Sequence, residues 1–445
     1  MNLVEILNND GKLCRCGKRH YALVRKAIIE EGALQKIPTI VKEENAKSVF
    51  LYCDLNTYDV AGEAVERILT DSGIAVKKYV FRSRDIIEPD EHAVGSAVMR
   101  YEASDMIIAV GSGVLNDIGK TVAAISEKPY MIVATAPSMD GYASGTSSMV
   151  RDGLKSTIKT KCPDIVVGDL DILCSAPMDM LRAGVGDMLA KYISICEWRI
   201  GRIIMGEFYC ETSASLVKEA LCRVVSLASG LISRDKEAIK AVMEGLVLSG
   251  IAANYADTTR AVSGGEHYFS HIWDMRGLEF GTPIHLHGLQ CGAATVDVMR
   301  AYEIIKKITP NREKAINYVK SFDVDAYNEK LREFIGSGAE AMIELEKKEK
   351  KYAQVEHAAR LERIITHWDE IVAIINEEAP LAEALEAIKV TGAQKCGKEL
   401  SKTDEVMAKT FVFSKDVRDK YVVSRLAFDL GVIDEVATEL YGRSV

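Results

Sequence analysis

The stretch DMIIAVGSGVLNDIGK, residues 105–120, decides the fold. Its first half is a short apolar run and its second half has helical spacing, with Gly111 and Gly113 at the junction. A strand that ends in G-x-G and opens a helix lets its backbone approach a ligand with no Cβ in the way. The free N–H groups at the helix start then favour an anion. The pattern here is G-x-G-x-x-x-D-x-x-K. It departs from the dinucleotide fingerprint G-x-G-x-x-G because Asn116 stands at the third glycine's place, and from a P-loop because no G-K-[ST] follows.

Outward from this junction the chain alternates. SVFLYCD (48–54), IAVKKYVF (74–81), YMIVATAPS (130–138) and DIVVGDLDIL (164–173) are apolar runs, and NTYDVAGEAVERILTDSG (56–73) is one of the helical stretches between them. Continuous apolar runs separated by helices predict a parallel sheet covered on both faces, which binds ligands beyond the carboxyl ends of its strands. After about Met178 the β-rich runs vanish, and 180–200, 212–233, 235–256, 287–308, 326–350 and 355–375 carry helical spacing. The expectation is an α/β domain over 1–178 and a helical domain over 179–445. The charged segment IELEKKEKKYAQVEHAARLERI (343–364) reads as a solvated helix face.

A formal net charge of -9 argues against a general nucleic-acid or membrane-surface binder, since both need positive fields. No apolar run reaches the roughly 18 residues of a membrane span, and the first residues do not form a secretory signal. The cytoplasm is the expected location, with the ten cysteines reduced. CRCGKRH (14–20) offers three candidate metal ligands, Cys14, Cys16 and His20, but no matching second half follows, so it reads as a turn ahead of the first helix. RDGLKSTIKTK, with Arg151, Lys155, Lys159 and Lys161, reads as a charged hairpin facing solvent, with cations for a phosphate as the alternative.

Chemistry concentrates in three places. TAPSMDGYASGTSS (135–148) is a second strand end rich in small hydroxyl residues, with acidic Asp140. Together with the G-x-G loop it suits a dinucleotide lying across the sheet edge. Asp54, ending an earlier strand, is placed either to accept hydrogen bonds from an adenosine ribose or to cap the next helix. Of eight histidines, four fall in SGGEHYFSHIWDMRGLEFGTPIHLHG (263–288). His267 and His271 share a helix face at i and i+4. The order E-H-x-x-x-H is not the metalloprotease H-E-x-x-H. A catalytic metal would take His267, His287 and a carboxylate, leaving one position open. Asp187 in RAGVGDMLAKY, at the start of a helix among small residues, stands out as that acid, and His285 is an alternative to His287. His92, His357 and His367 read as surface or structural.

GSGVLNDIGK, TAPSMDGYASGTSS, GVGDMLAKY, GGEHYFSH, HGLQCG and FSKDVRDKYVVSRLAFDLGVID occur in this order through most of the chain. In these stretches the chain resembles the sn-glycerol-1-phosphate dehydrogenase family, a branch of the iron-containing alcohol dehydrogenase and dehydroquinate synthase-like superfamily. The resemblance implies an N-terminal α/β nucleotide-binding domain and an all-helical C-terminal domain. It implies NAD(P)-linked interconversion of dihydroxyacetone phosphate and sn-glycerol 1-phosphate. It implies one divalent metal per subunit, zinc or nickel, with iron also compatible, held by Asp187, His267 and His287. Substrate contacts fall to Asp140, Asp187 and His271, with Asp140 and His271 as catalytic groups. Cofactor contacts fall to Asp54, Gly111, Gly113, Val114, Leu115, Asn116, Asp117, Thr135, Ala136, Pro137, Ser138 and Ser144. A homodimer or larger assembly is expected. The stretch 310–405 is longer than is usual for the family. Rival readings are a glycerol dehydrogenase or another metal-dependent alcohol dehydrogenase, and a dehydroquinate synthase-like lyase.

Overall fold

The computed structural model describes residues 3–8, 11–151, 154–443 and 445, and the side chains of Leu154 and Lys155 lie outside that description. Six strands form one parallel sheet: β1 (Lys26–Glu30), β2 (Ser48–Asp54), β3 (Ala75–Phe81), β4 (Met106–Gly111), β5 (Tyr130–Ala134) and β8 (Ile165–Asp169), in the spatial order β1-β8-β5-β4-β2-β3. A separate antiparallel hairpin pairs β6 (Thr146–Arg151) with β7 (Leu154–Lys159), as RDGLKSTIKTK predicts. Arg151 and Lys159 are exposed on it, and the side chain of Lys155 is outside the described residues.

The central strands are apolar throughout because both faces are covered. On one face Val49, Leu51, Ile108, Val110, Val133 and Val167 pack with Ile37 and Val41 of the helix Ile37–Glu43 and with Val65 and Leu69 of the helix Glu63–Asp71. Full burial of each such side chain contributes roughly 1.5–3 kcal/mol. On the other face the helix Gly113–Ser126 lies close enough for the Tyr52 hydroxyl to donate to the Leu115 carbonyl at 2.8 Å and the Tyr130 hydroxyl to Asn116 Oδ1 at 3.0 Å. A Cβ at Gly119 would overlap both tyrosine hydroxyls. Close helix–strand packing is the task of the third glycine in the dinucleotide fingerprint. Here it is done by Gly119, three residues beyond Asn116.

Strand β2 lies between β3 and β4, so the chain leaves it in one direction and returns on its other side. This reversal puts a crevice at the carboxyl ends of β2 and β4, where Asp54 and Gly111 sit. β1 is short and charged at both ends (KAIIE), which hid it from the sequence pattern. The CRCGKRH turn therefore precedes a strand and not a helix.

Among the described residues every element beyond β8 is helical. The chain divides into two compact units, Met1–Met188 with Ser215–Thr258, and Leu189–Ala214 with Thr259–Val445. A single cut at 178/179 does not reproduce these units, because the helix Lys236–Ala256 packs in the first, against β1 and the turn Asp140–Ala143. The helix expected near Asp187 begins earlier and runs over Met178–Met205, so Asp187 is internal to it. The expected helix 326–350 is broken at Gly336, φ +76°, into Val324–Ile335 and Ala339–Glu349. The 355–375 stretch divides at His367 into Gln354–Thr366 and Trp368–Glu378. The charged 343–364 segment is not simply solvated. It is interrupted at Lys350, φ +49°, and it buries Glu346, Lys351, His357 and Arg360. Among the described residues no helix is long and apolar enough to cross a membrane.

Candidate metal and nucleotide site

In the α/β unit the G-x-G loop is built by close packing. A Cβ at Gly111 would overlap the Leu115 side chain, and one at Gly113 would meet Met139 at 3.1 Å. Gly113, Val114 and Asp117 are partly exposed, whereas Leu115 and Asn116 are turned inward and buried. Asn116 Nδ2 donates to the Gly141 carbonyl at 3.0 Å. Sequence reasoning gave Lys120 no role. It is fully buried, donates to the carbonyls of Gly141 (3.2 Å) and Thr146 (2.5 Å), and pairs with Asp117 Oδ1 at 2.7 Å. Asp117 Oδ2 accepts from the Ser148 N–H at 3.1 Å. The D-x-x-K of the motif thus ties the 139–148 loop to the G-x-G helix. The available signal was i,i+3 spacing of opposite charges on an otherwise apolar helix.

The second loop is equally constrained. The Thr135 N–H donates to the Gly111 carbonyl at 3.0 Å, and the Tyr142 hydroxyl to the Ala136 carbonyl at 2.5 Å. Ala136, Pro137 and Ser138 are buried with it, and Ser144 Oγ accepts from the Thr146 N–H at 3.1 Å. A Cβ at Gly184 would overlap the Pro137 carbonyl, which explains a glycine inside the long helix. Asp187 is fully buried, and its Oδ2 accepts from the Asp140 N–H at 2.9 Å. The structure thereby brings together two of the residues singled out in the sequence. Asp54 adopts the capping role: its Oδ1 accepts from the Thr57 N–H at 2.7 Å in a capping box.

In the helical unit His267 lies in the first turn of the helix Gly265–Phe280, and His287 opens the helix His287–Ile305. Their ring centroids are 5.0 Å apart. His267 Nδ1 lies 2.7 Å from Glu266 Oε1, which also accepts from the Gly264 N–H at 2.7 Å. His287 Nδ1 lies 3.2 Å from Ser270 Oγ. Gln290 Nε2 donates to Ser270 Oγ at 3.0 Å and to Asp274 Oδ1 at 2.8 Å. Both imidazoles are therefore oriented through Nδ1, the arrangement that metal-ligating histidines show. Cys291, which the sequence did not single out, has its sulfur within 4.8 Å of ligand atoms of both histidines. His271 is on the same helix, partly exposed, and His285 is placed by its backbone N–H on Gln290 Oε1 at 3.4 Å.

Beneath the histidines lies a second buried acid, Glu197. It accepts from the N–H groups of Gly265 (2.7 Å) and Val423 (2.8 Å). Burial raises the pKa of both Glu197 and Glu266, and the proximity of Glu266 adds to the shift of Glu197. Burial lowers that of Lys420, which donates to the carbonyls of Thr259 and Ser263 at 3.2 and 2.6 Å. These buried groups fix the turn from which His267 projects.

A parallel sheet with its switch point at a G-x-G loop, followed by helices carrying paired histidines, is the architecture of the iron-containing alcohol dehydrogenase class. Residues 28–177 match the family described as iron-containing alcohol dehydrogenase. The fold resembles that of the crystal structure of glycerol dehydrogenase from Schizosaccharomyces pombe, with a TM-score of 0.56 at 15% identity, covering 94% of this chain and 90% of that one. The chain is 32% identical over 302 residues to glycerol-1-phosphate dehydrogenase [NAD(P)+] of Bacillus subtilis, covering 66% of this chain and 77% of the relative. It is 28% identical over 348 residues to the enzyme of the same name from Halalkalibacterium halodurans, covering 74% and 87%. The chain belongs to the glycerol-1-phosphate dehydrogenase family.

Proposed function

We propose that this protein interconverts dihydroxyacetone phosphate and sn-glycerol 1-phosphate by hydride transfer to and from NAD or NADP, with one divalent metal ion per subunit. The observation that carries the reading is the pair His267 and His287, each held through Nδ1 by a hydrogen-bonding partner, in a chain of this family. Glu266 Oε1 already accepts one N–H, so its second contact favours the Nδ1–H tautomer of His267 and leaves Nε2 as a donor of electrons.

We assign the metal to Asp187, His267 and His287. A buried carboxylate and two pre-oriented imidazoles fit a zinc, nickel or iron ion. When bound, such an ion polarises a carbonyl oxygen and stabilises developing negative charge on it. The remaining steps belong to the protein. Gly111, Gly113, Val114 and Asp117 offer the nucleotide a close backbone approach at a helix start, with Leu115 and Asn116 anchoring that turn from beneath. Thr135, Ala136, Pro137, Ser138 and Ser144 supply the second loop, and Asp54 the ribose end. His271 moves a proton to or from a substrate oxygen, and Asp140 with Asp187 orients the substrate hydroxyls. A cytoplasmic homodimer or larger assembly completes the reading, and the ten free thiols suit a reducing compartment.

The deciding assay follows NADH or NADPH oxidation with dihydroxyacetone phosphate and, in parallel, dihydroxyacetone. Activity that requires the phosphate supports this reading, and equal activity without it favours the glycerol dehydrogenase alternative. Turnover without net change in the cofactor would indicate a dehydroquinate synthase-like lyase.

A further inference from the structure

The proposed function uses none of the first twenty residues, yet residues 11–20 are tightly built. An antiparallel bridge joins Leu13 to Arg19. Within it the Cys14 N–H donates to the Lys18 carbonyl at 2.8 Å and the Gly17 N–H to the Cys14 carbonyl at 2.9 Å. Gly17 has φ +85° with open space around it, so the glycine is required by backbone conformation and not by crowding. Arg19 Nη1 donates to the Gly11 carbonyl at 2.9 Å, and Lys18 Nζ to the Ala256 carbonyl at 3.0 Å. His20 is 3% exposed and stacks on Tyr255, with centroids 4.9 Å apart and planes 13° from parallel.

This turn gathers three metal-binding side chains. Cys16 Sγ lies 3.3 Å from His20 Nε2, and the sulfurs of Cys14 and Cys16 and a His20 ring nitrogen lie within 4.8 Å of one another. Tetrahedral zinc, with Zn–S of ≈ 2.3 Å and Zn–N of ≈ 2.0–2.1 Å, sets its ligand atoms about 3.5–3.8 Å apart. The sequence alone favours a plain turn because only three ligands are near in the chain. The structure adds that all three are drawn to one point, with the imidazole clamped by stacking and the loop by backbone bonds.

We propose that Cys14, Cys16 and His20 bind a structural zinc ion, separate from the ion assigned to Asp187, His267 and His287. Zinc enters as the divalent ion and both thiols give up their protons to solvent, so affinity weakens as the pH is lowered. A fourth ligand, water or a further thiol, would complete the tetrahedron. The ion fastens the segment that leads into β1, an edge strand that pairs with β8. Two thiolates and an imidazole favour zinc over the hard cations.

The test uses the full chain loaded with zinc sulfate or cobalt chloride, with metal counted by mass spectrometry and thiolate–cobalt charge transfer read by absorption. C14S/C16S should lose one equivalent of metal relative to wild type and lose most of the charge-transfer band, while H267A/H287A loses one equivalent and keeps that band. C14S/C16S that binds as much metal as wild type, or keeps its band undiminished because Cys291 supplies it, overturns the proposal. Should C14S/C16S fold poorly, zinc X-ray absorption on H267A/H287A decides. Sulfur scatterers at about 2.3 Å support the site, and a nitrogen- and oxygen-only shell, or no bound zinc, refutes it.

Discussion

The α/β unit and the helical unit build their functional residues by opposite means. In the first, apart from the pair that buried Lys120 makes with Asp117, the loops are shaped by what is missing: Gly111, Gly113, Gly119 and Gly184 stand where a Cβ would meet a neighbouring residue. In the second, the turns are shaped by buried charge. Glu197, Glu266 and Lys420 hold the His267 turn, Arg360 pairs with Asp429 at 2.8 and 3.0 Å, and Asp416 accepts from the hydroxyls of Tyr327 and Tyr352 beside Lys415. Shape complementarity fails gradually when a methyl is added, whereas a buried charge fails abruptly when its partner is removed. That contrast orders the expected effects.

The largest belongs to the helical unit. Burial opposes the charged form of Asp416, but Lys415 and Lys351 overcome it and hold its pKa below the usual carboxylate value. Burial pushes the Lys415 ammonium down to about 8. Asp416→Ala leaves Lys415 without its carboxylate among the rings of Phe322, Tyr327, Tyr352 and Phe428, removes the carboxylate 3.6 Å from Lys351, and should cost about 3–5 kcal/mol in urea unfolding. A loss under 1 kcal/mol would show that the charges are not buried as described. In the α/β unit, Gly119→Ala should cost about 1–3 kcal/mol by forcing the helix Gly113–Ser126 off Tyr52 and Tyr130, and should raise the KM for the nucleotide. An unchanged KM would separate helix packing from cofactor binding.

A smaller effect tests burial that a loose ion pair, Asp297 Oδ1 to Arg300 Nη1 at 3.6 Å, does not offset. Desolvation raises the Asp297 pKa to about 7, although its Oδ2 accepts from the Gly397 N–H at 3.0 Å. Between the unfolded value near 3.9 and about 7 the folded state binds more protons, so this group makes stability fall as pH rises through that window. Asp297→Asn should stabilise at pH 8 by on the order of 1 kcal/mol and give no gain below pH 4. A gain independent of pH would contradict the desolvation argument. The smallest change is expected at Asp54. Asn also caps helices well, so Asp54→Asn should shift stability by a few tenths of a kcal/mol while weakening any preference for NADH over NADPH. An unaltered preference would leave Asp54 as a cap alone.

The same contrast explains what the sequence made legible. Strands β2, β4, β5 and β8 announced themselves as apolar runs because a doubly covered sheet requires them, whereas β3, an edge strand with only Phe81 buried, showed through its β-branched and aromatic residues. The glycine loops were visible because glycine has few other reasons to sit at a strand end. β1 escaped because only three of its five residues are apolar. The buried charges escaped for a different reason. Lys120, Lys415 and Arg360 look like solvated residues until their partners, up to 69 positions away for Arg360, are placed in space. Likewise Glu266 was visible only as part of G-E-H. Its contact with His267 Nδ1 is set by the turn and not by spacing.

The most direct test of the account is single: chelator-stripped protein assayed for NADH oxidation with dihydroxyacetone phosphate, before and after restoring zinc, nickel or iron, alongside His267→Ala. Activity should vanish on stripping, return with at least one of these ions, and stay absent in His267→Ala. Full activity in the stripped protein, or in His267→Ala, would contradict the assignment of the metal to the oriented histidines.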